Sequence, residues 1–387
     1  MTPAAVPAPR TDETGAAPIP ELDGVRGIAI LLVMLFHFQG VRPPGIPKFL
    51  TYPMILGWSG VDLFFVLSGF LITRILISTR GAPNYFSAFY ARRILRIFPL
   101  YFVAVFLFFR VALPLAARFG WDLGTDPGLE PWFWFHLSNG PSAFGRDARP
   151  LSHFWSLSIE EQFYLAWPAV VRAVAPRWLG AVCAGVAALA VGLRVAAAAK
   201  GVNPEALHRL TVFRMDALAL GGLVAWIAVD PARRAALRRR LRVVWGASAV
   251  LLAALCVAGR GAVSPVMTRF GYTAVALFDA GFVFVAFDRS GSAARLSRIL
   301  RQPWLRAFGK YSYAMYVFHY PVALVAERLA PGEGASALVR TIDWLASVIG
   351  GIAVSFLLAL ASWNLLEKRF LVLKNRFVAR PVAAPAA

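Results

Sequence analysis

Cysteine is scarce in this sequence, because the 387 residues contain only Cys183 and Cys256. Both lie in apolar stretches and have neither a CxxC nor a Cys/His spacing, so they indicate no disulfide and no metal site. The chain also lacks a P-loop, a GxGxxG fingerprint, an HExxH pair and an EF-hand loop. A pump driven by phosphate transfer is therefore disfavoured, and neither a metal nor a bound cofactor is expected.

Acidic residues are few as well, with 20 Asp and Glu against 40 Lys and Arg, which gives a formal net charge of +20. The basic residues lie between long apolar blocks and form no separate basic domain, which argues against a nucleic-acid partner. Hydrophobic residues make up 59% of the chain, and its mean hydropathy is +0.62. This pattern predicts an all-α, polytopic membrane protein whose partner is the lipid bilayer.

Ten apolar blocks are long enough to cross a bilayer, and no internal repeat is visible. Connections after the even-numbered blocks, together with the C-terminal end, carry roughly twice the Lys and Arg of the other connections. This bias predicts ten transmembrane helices in one bundle, with both termini cytoplasmic. The predicted spans are 22–40, 55–78, 97–116, 152–174, 178–199, 211–229, 243–259, 268–287, 311–330 and 343–366.

The two ends of the chain differ in composition from the apolar blocks. Residues 1–20 are rich in Ala and Pro and lack the hydrophobic core of a signal peptide. We expect a disordered leader over 1–20, a transmembrane domain over 21–370 and a disordered cytoplasmic tail over 371–387.

Arg26 and His37 are the most informative pair of polar residues. They lie eleven residues apart in the first span, which places both on one face of a helix, roughly 16 Å apart along its axis. Charged and titratable side chains are costly in hydrocarbon and usually mark a function there. We therefore predict that His37 is a general base, with a histidine that only packs between helices as the alternative.

Glu160 lies near the middle of the fourth span and could orient His37, or pair with Arg26 or Arg214. A structural ion pair is an equally open interpretation. The neighbouring Glu161 points about 100° away and is expected to face elsewhere.

Further polar residues in the apolar blocks are candidates for lining a substrate cavity. Arg214 and Asp216 are two residues apart and cannot face each other, so each should find a partner on another helix. Ser68 has no GxSxG elbow, which makes a nucleophilic role doubtful. His153 and Trp155 are expected near the outer interface. The candidate cavity residues are Asp62, Ser68, Tyr164, Arg214, Asp216 and His319.

Three arginines, Arg92, Arg93 and Arg96, precede the third predicted span. Guanidinium groups match phosphate oxygens, so this cluster could bind a phosphorylated cosubstrate from the cytoplasm. Basic residues on this side are also expected for topology alone, and spacing does not separate the two interpretations. The following Phe98-Pro99-Leu100-Tyr101 segment is typical of a helix start at the interface.

These segments together resemble the acyltransferase 3 family of bacterial membrane O-acyltransferases. The resemblance rests on Leu22–Ile28 with His37, on Gly60–Phe70, on Arg92–Pro99, on Phe154–Tyr164, on Gly309–His319 and on Glu367. It implies ten helices in a bacterial cytoplasmic membrane and transfer of a short acyl group from acyl-coenzyme A to a hydroxyl group. By the same resemblance, His37 is the catalytic base with Arg26 and Glu160 beside it. Arg92, Arg93 and Arg96 would hold the coenzyme A phosphates.

The acceptor is left open by the resemblance. Similarity to the stand-alone members of the family implies either a macrolide antibiotic in a biosynthetic pathway or, as the alternative, a sugar of a cell-surface polysaccharide or lipopolysaccharide. Between these acceptors, the compact size and the Arg/Ala-rich composition favour the macrolide. A hypothesis of another class is a flippase or permease for lipids or glycolipids, since intramembrane charges would suit a transport path equally well.

Overall fold

The computed structural model describes residues 19–40, 46–47, 51, 54–257, 263–288, 294–331 and 334–380. Within these ranges the chain is helical, and Thr125 and Ala148 form an isolated β-bridge. The long helices are α1 Pro20–Phe38, α2 Gly60–Thr79, α3 Tyr85–Phe106, α4 Phe154–Ala173, α5 Leu179–Ala199, α6 Met215–Ala228, α7 Pro231–Val257, α8 Tyr272–Asp288, α9 Pro303–Leu329 and α10 Ala337–Ser362. Each of the ten predicted spans overlaps one of them.

The prediction of an all-α, multi-pass membrane protein is confirmed. Among the described residues, five helical stretches are long and apolar enough to cross a bilayer, or six if the bent pair of α6 and the first part of α7 is one span. The five are Leu56–Thr79, Tyr85–Arg118, Leu179–Ala199, Met267–Asp288 and Ala337–Arg376. The number of ten crossings and the cytoplasmic position of both termini stay predictions.

Several helices begin earlier than the predicted spans, namely α3, α7, α9 and α10, and the difference is largest at α3 and α7. The predicted helix start near Phe98 is wrong, because α3 begins at Tyr85 and contains Pro99 in its interior. Helix α7 begins with Pro231 at its first position and takes in the basic run that precedes its apolar part. Charged residues on these segments lower the hydropathy without interrupting the backbone hydrogen bonds of the helix.

Close helix approaches at glycine hold the centre of the bundle together. A Cβ added to Gly69 of α2 would lie 1.9 Å from the carbonyl oxygen of Leu218 in α6. One added to Gly309 of α9 would lie 1.8 Å from the carbonyl oxygen of Asp23 in α1. Only a residue without a side chain fits such contacts, as is common between membrane helices. These two contacts fix α2 against α6 and α1 against α9.

The boundaries predicted for the terminal segments meet the structure only in part. Most of the predicted leader, residues 1–18, lies outside the described residues, and Pro20 already belongs to α1. At the other end the helix continues through Trp363–Glu367 and Lys368–Leu373, past the expected limit at residue 370. Asn84 then bonds Val378 and Arg380, so this part of the predicted tail packs on the bundle. Residues 381–387 lie outside the described residues.

Candidate functional site

A cavity of about 100 Å³ lies between α1, α2, α3, α4 and α9, and we call it the arginine cavity. Arg26 of α1 enters it from one side, and its Nη1 lies 3.2 Å from Asp23 Oδ1. Arg93 and Arg96 of α3 enter from another side, three residues apart on one helix face. Glu160 of α4 lines the same cavity. The charged side chains that the sequence scatters over three helices therefore meet in one polar space.

Glu160 is held by hydroxyl groups in this cavity. Ser68 Oγ donates to Glu160 Oε1 at 2.8 Å, and Tyr164 OH donates to Glu160 Oε2 at 3.1 Å. Tyr164 OH also lies 3.1 Å from Ser68 Oγ, and its ring lies beneath the Arg93 guanidinium at 5.7 Å. Arg26 and Arg93 are near enough to interact electrostatically with Glu160. The direct contacts of this carboxylate are therefore Ser68 and Tyr164, and not His37, Arg26 or Arg214 as the sequence suggested.

His37 lines a second and larger cavity, the histidine cavity, of about 540 Å³ at the other end of α1. Aromatic rings separate the two cavities. The His37 ring lies 4.8 Å from the His319 ring, which lies 5.2 Å from the Tyr316 ring. Tyr316 in turn lines the arginine cavity. Two ring contacts thus connect a side chain of one cavity with a side chain of the other.

The hydrogen bonds of these histidines agree with one pair of neutral tautomers. His319 Nδ1 lies 2.7 Å from the carbonyl oxygen of Tyr316, which only accepts, so Nδ1 carries the proton and Nε2 is an acceptor. His37 Nδ1 lies 2.9 Å from the carbonyl oxygen of Val33 and 3.3 Å from His319 Nε2. A proton on His37 Nδ1 serves both acceptors. In this arrangement Nε2 of His37 has the free lone pair that a general base needs.

Three predicted cavity residues lie instead in a buried ion-pair cluster. Arg214 donates to Asp62, and Arg194 Nη2 donates to Asp216 Oδ2 at 2.9 Å. All four side chains are at most 1% exposed. The prediction that Arg214 and Asp216 each find a partner on another helix is confirmed, since these partners lie on α2 and α5. None of the three lines the arginine or the histidine cavity. Their charges tie α2, α5 and α6 together.

Of the remaining predicted residues, some line a cavity and others do not. Ser68 and Tyr164 line the arginine cavity, whereas His319 lies fully buried between the two cavities. Arg92 lines neither cavity, although it is adjacent to Arg93 in sequence. The three arginines therefore do not form one cluster, because consecutive residues on a helix point about 100° apart.

Sequence reasoning missed three residues near the site. Glu161 lines the arginine cavity together with Glu160, contrary to expectation. His153, expected near an interface, is 4% exposed, and its ring lies 4.9 Å from that of His319. Tyr316 forms part of the wall between the cavities. A local signal existed only for Glu161, which is adjacent to Glu160 in α4, whereas His153 immediately precedes that helix and Tyr316 lies on α9.

The sequence matches the acyltransferase domain of the acyltransferase 3 family over residues 19–361. This match covers α1 to α9 and nearly all of α10. The chain belongs to the acyltransferase 3 family. The family resemblance found in the sequence is thereby confirmed, together with the assignment as an integral, multi-pass membrane protein.

Similar curated proteins include two bacterial O-acetyltransferases. The peptidoglycan O-acetyltransferase OatA of Listeria monocytogenes is 27% identical over 385 residues, which are 95% of this chain and 58% of that protein. The O-acetyltransferase OatA of Staphylococcus aureus is 27% identical over 326 residues, which are 79% of this chain and 50% of that protein. The chain spans about half the length of these relatives. No solved structure matches the chain.

Proposed function

We propose that this protein is a membrane O-acyltransferase that moves a short acyl group from acyl-coenzyme A to a hydroxyl group. The observation that carries the proposal is the pair of ring contacts that connects the two cavities. Cations and Glu160 line one cavity, His37 lines the other, and His319 and Tyr316 lie between them. A donor in the arginine cavity and an acceptor in the histidine cavity would meet at these rings.

The reaction is a direct transfer. Nε2 of His37 takes the proton of the acceptor hydroxyl while its oxygen attacks the thioester carbonyl carbon. The tetrahedral intermediate then breaks its C–S bond, and the imidazolium returns the proton to the thiolate. Ser68 is not used as a nucleophile, because its hydroxyl is held by Glu160 and Tyr164 in the arginine cavity, whereas the proposed base His37 lines the other cavity.

The acceptor that we propose is a sugar hydroxyl of a cell-surface polymer. The names of the relatives support this alternative, since OatA of Listeria monocytogenes is a peptidoglycan O-acetyltransferase. The preference for a macrolide antibiotic, which rested on composition and size, has no such support. Acetyl is the corresponding acyl group.

The test replaces His37 in the purified, membrane-embedded protein. With labelled acetyl-coenzyme A and peptidoglycan fragments, His37→Ala should lower kcat by about 100-fold or more, as loss of a general base does. His136→Gln is the matched control, since this buried histidine lines neither cavity and should keep its turnover per folded molecule.

Wild-type turnover in His37→Ala would remove the proposed base. Transfer to a macrolide but not to peptidoglycan fragments would contradict the acceptor. Movement of a lipid or glycolipid across the membrane of proteoliposomes without any acylated product would indicate a transporter and contradict the enzymatic function.

A further inference from the structure

A third cavity adjoins the arginine cavity, and the proposed function leaves it without a role. It measures about 380 Å³ and lies between the first turns of α1 and α9, the middle of α3 and the helical segment that follows α10. We call it the basic vestibule. Arg26 and Arg96 line both this vestibule and the arginine cavity, so the two spaces share a wall. A ligand long enough to occupy both would pass these two guanidinium groups.

Positive charge in the vestibule exceeds negative charge. Its lining contains four cations, Arg26, Arg96, Arg306 and Lys310, against the single acid Asp23. Asp23 is paired with Arg26 at 3.2 Å. Cations that converge on a concave space without carboxylate partners attract an anion into it.

The other three cations form no direct ion pair in the part of the chain that the structure describes, although Glu367 and Asp23 lie near enough to Arg96 to interact with it electrostatically. The side chains of Arg96 and Arg306 make no hydrogen bond or ion pair there, and Lys310 Nζ donates to Tyr311 OH at 3.0 Å. Aromatic rings hold the lysine at the rim, since its Nζ lies 4.6 Å from the centre of the Trp363 ring. Topology requires basic residues on one side of the membrane, but it does not require them to share a cavity.

Resting on the proposed function, we propose that the vestibule binds the phosphate groups at the nucleotide end of the acyl donor, through Arg306 and Lys310. The uncharged arm that carries the thioester would then extend past Arg26 and Arg96 into the arginine cavity. Phosphates of anionic lipid headgroups share this chemistry, and the experiment separates the two sources.

The experiment compares two donors and two variants in nanodiscs of neutral lipid. Acetyl-coenzyme A carries the phosphates, whereas acetyl-pantetheine carries the same thioester without them. The double variant Arg306→Ala/Lys310→Ala should raise KM for acetyl-coenzyme A by about tenfold or more, because charge-assisted hydrogen bonds to phosphate are lost. Its KM for acetyl-pantetheine should stay within about twofold of the wild-type value, because that donor makes none of these bonds. The matched control is Arg298→Ala, which removes an exposed cation just before α9 and should change neither KM value.

Equilibrium binding of coenzyme A and of adenosine 3′,5′-bisphosphate is measured in parallel and needs no turnover. Weaker binding of both in the double variant supports the vestibule even if no acceptor is acylated, whereas absence of any acyl product refutes the proposed function alone. The inference is overturned if the double variant binds both ligands as tightly as the wild type does. It is also overturned if the KM values for acetyl-coenzyme A and acetyl-pantetheine rise by the same factor. The same assays are repeated in nanodiscs that contain anionic lipid. If the double variant differs from the wild type only there, the occupant is a lipid headgroup and the inference is likewise overturned.

Discussion

Removal of one charge from the buried pair of Asp62 and Arg214 should destabilise the protein strongly. The side chains are 1% and 0% exposed, so Asp62→Asn leaves a guanidinium group without a counter-charge and without water. Such a loss costs about 3–5 kcal/mol of the free energy of unfolding. The Arg214 guanidinium also lies 4.1 Å from the centre of the Tyr272 ring, which retains part of its stabilisation. We therefore expect the lower end of that range.

The control is an ion pair of similar geometry at the surface. Arg149 Nη2 lies 2.9 Å from Glu327 Oε2, but these side chains are 54% and 64% exposed. Arg149→Ala should cost about 1 kcal/mol or less, because water solvates the remaining charge. Thermal unfolding in detergent, followed by tryptophan fluorescence, compares the two variants.

The double variant Asp62→Leu/Arg214→Met separates an unpaired charge from lost packing. It should be more stable than Asp62→Asn, since it buries no unpaired charge. Equal unfolding midpoints for Asp62→Asn and the surface variant would refute the assignment of a buried structural pair. So would an Asp62→Asn protein that unfolds normally but has a raised KM for the acceptor, because the carboxylate would then contact substrate.

Three further outcomes follow from single contacts. Tyr164→Phe removes the 3.1 Å hydrogen bond to Glu160 and should lower kcat/KM by about tenfold in steady-state kinetics, the equivalent of about 1.4 kcal/mol; an unchanged value would separate this hydroxyl from the reaction. Gly69→Val should reduce the yield of folded protein in size-exclusion chromatography, because even a Cβ would lie 1.9 Å from the carbonyl oxygen of Leu218; a normal yield would contradict the close packing. A hydrogen bond from Arg146 keeps the pKa of Asp126 below its usual value. The small stabilisation from this pair is therefore present above the pKa of the unfolded state and is lost as the pH falls through the pKa of the folded state. Asp126→Asn should flatten this acid limb of the unfolding midpoint, and an unchanged limb would exclude the pair as its source.

Hydropathy located every long helix of the described chain because a membrane helix is built from local sequence. Its largest errors lie at the starts of α3 and α7, where the helices extend into basic segments. At α3 the cause is visible in the cavities. Arg93 and Arg96 point into polar space, so the helix carries them without exposing charge to lipid. The mean hydropathy of a sequence window is the same for a charged residue that faces a cavity within a helix and for one that lies beyond the end of a helix.

The site was predictable only where it depends on one helix. Helical periodicity placed Arg26 and His37 on α1, and both line cavities. Contacts between distant segments have no such local signal. His319 is 282 residues from His37 in sequence, yet their ring nitrogens lie 3.3 Å apart. The same holds for Glu160, whose partner Ser68 lies 92 residues earlier. The sequence predicted that these residues contribute to one site, but it did not predict which of them contact each other.

The positions of the three cavities bear on how a charged donor could serve a reaction inside the bilayer. The vestibule lies around Asp23 and Arg26 and the histidine cavity around His37, so about three turns of α1 separate them, roughly 16 Å. Moving phosphates over that distance through hydrocarbon would be prohibitive. With the phosphates at the vestibule, only the uncharged thioester arm has to reach Tyr316. If the acceptor enters the histidine cavity as proposed, it approaches from the other end of α1, and neither substrate has to carry charge across the membrane.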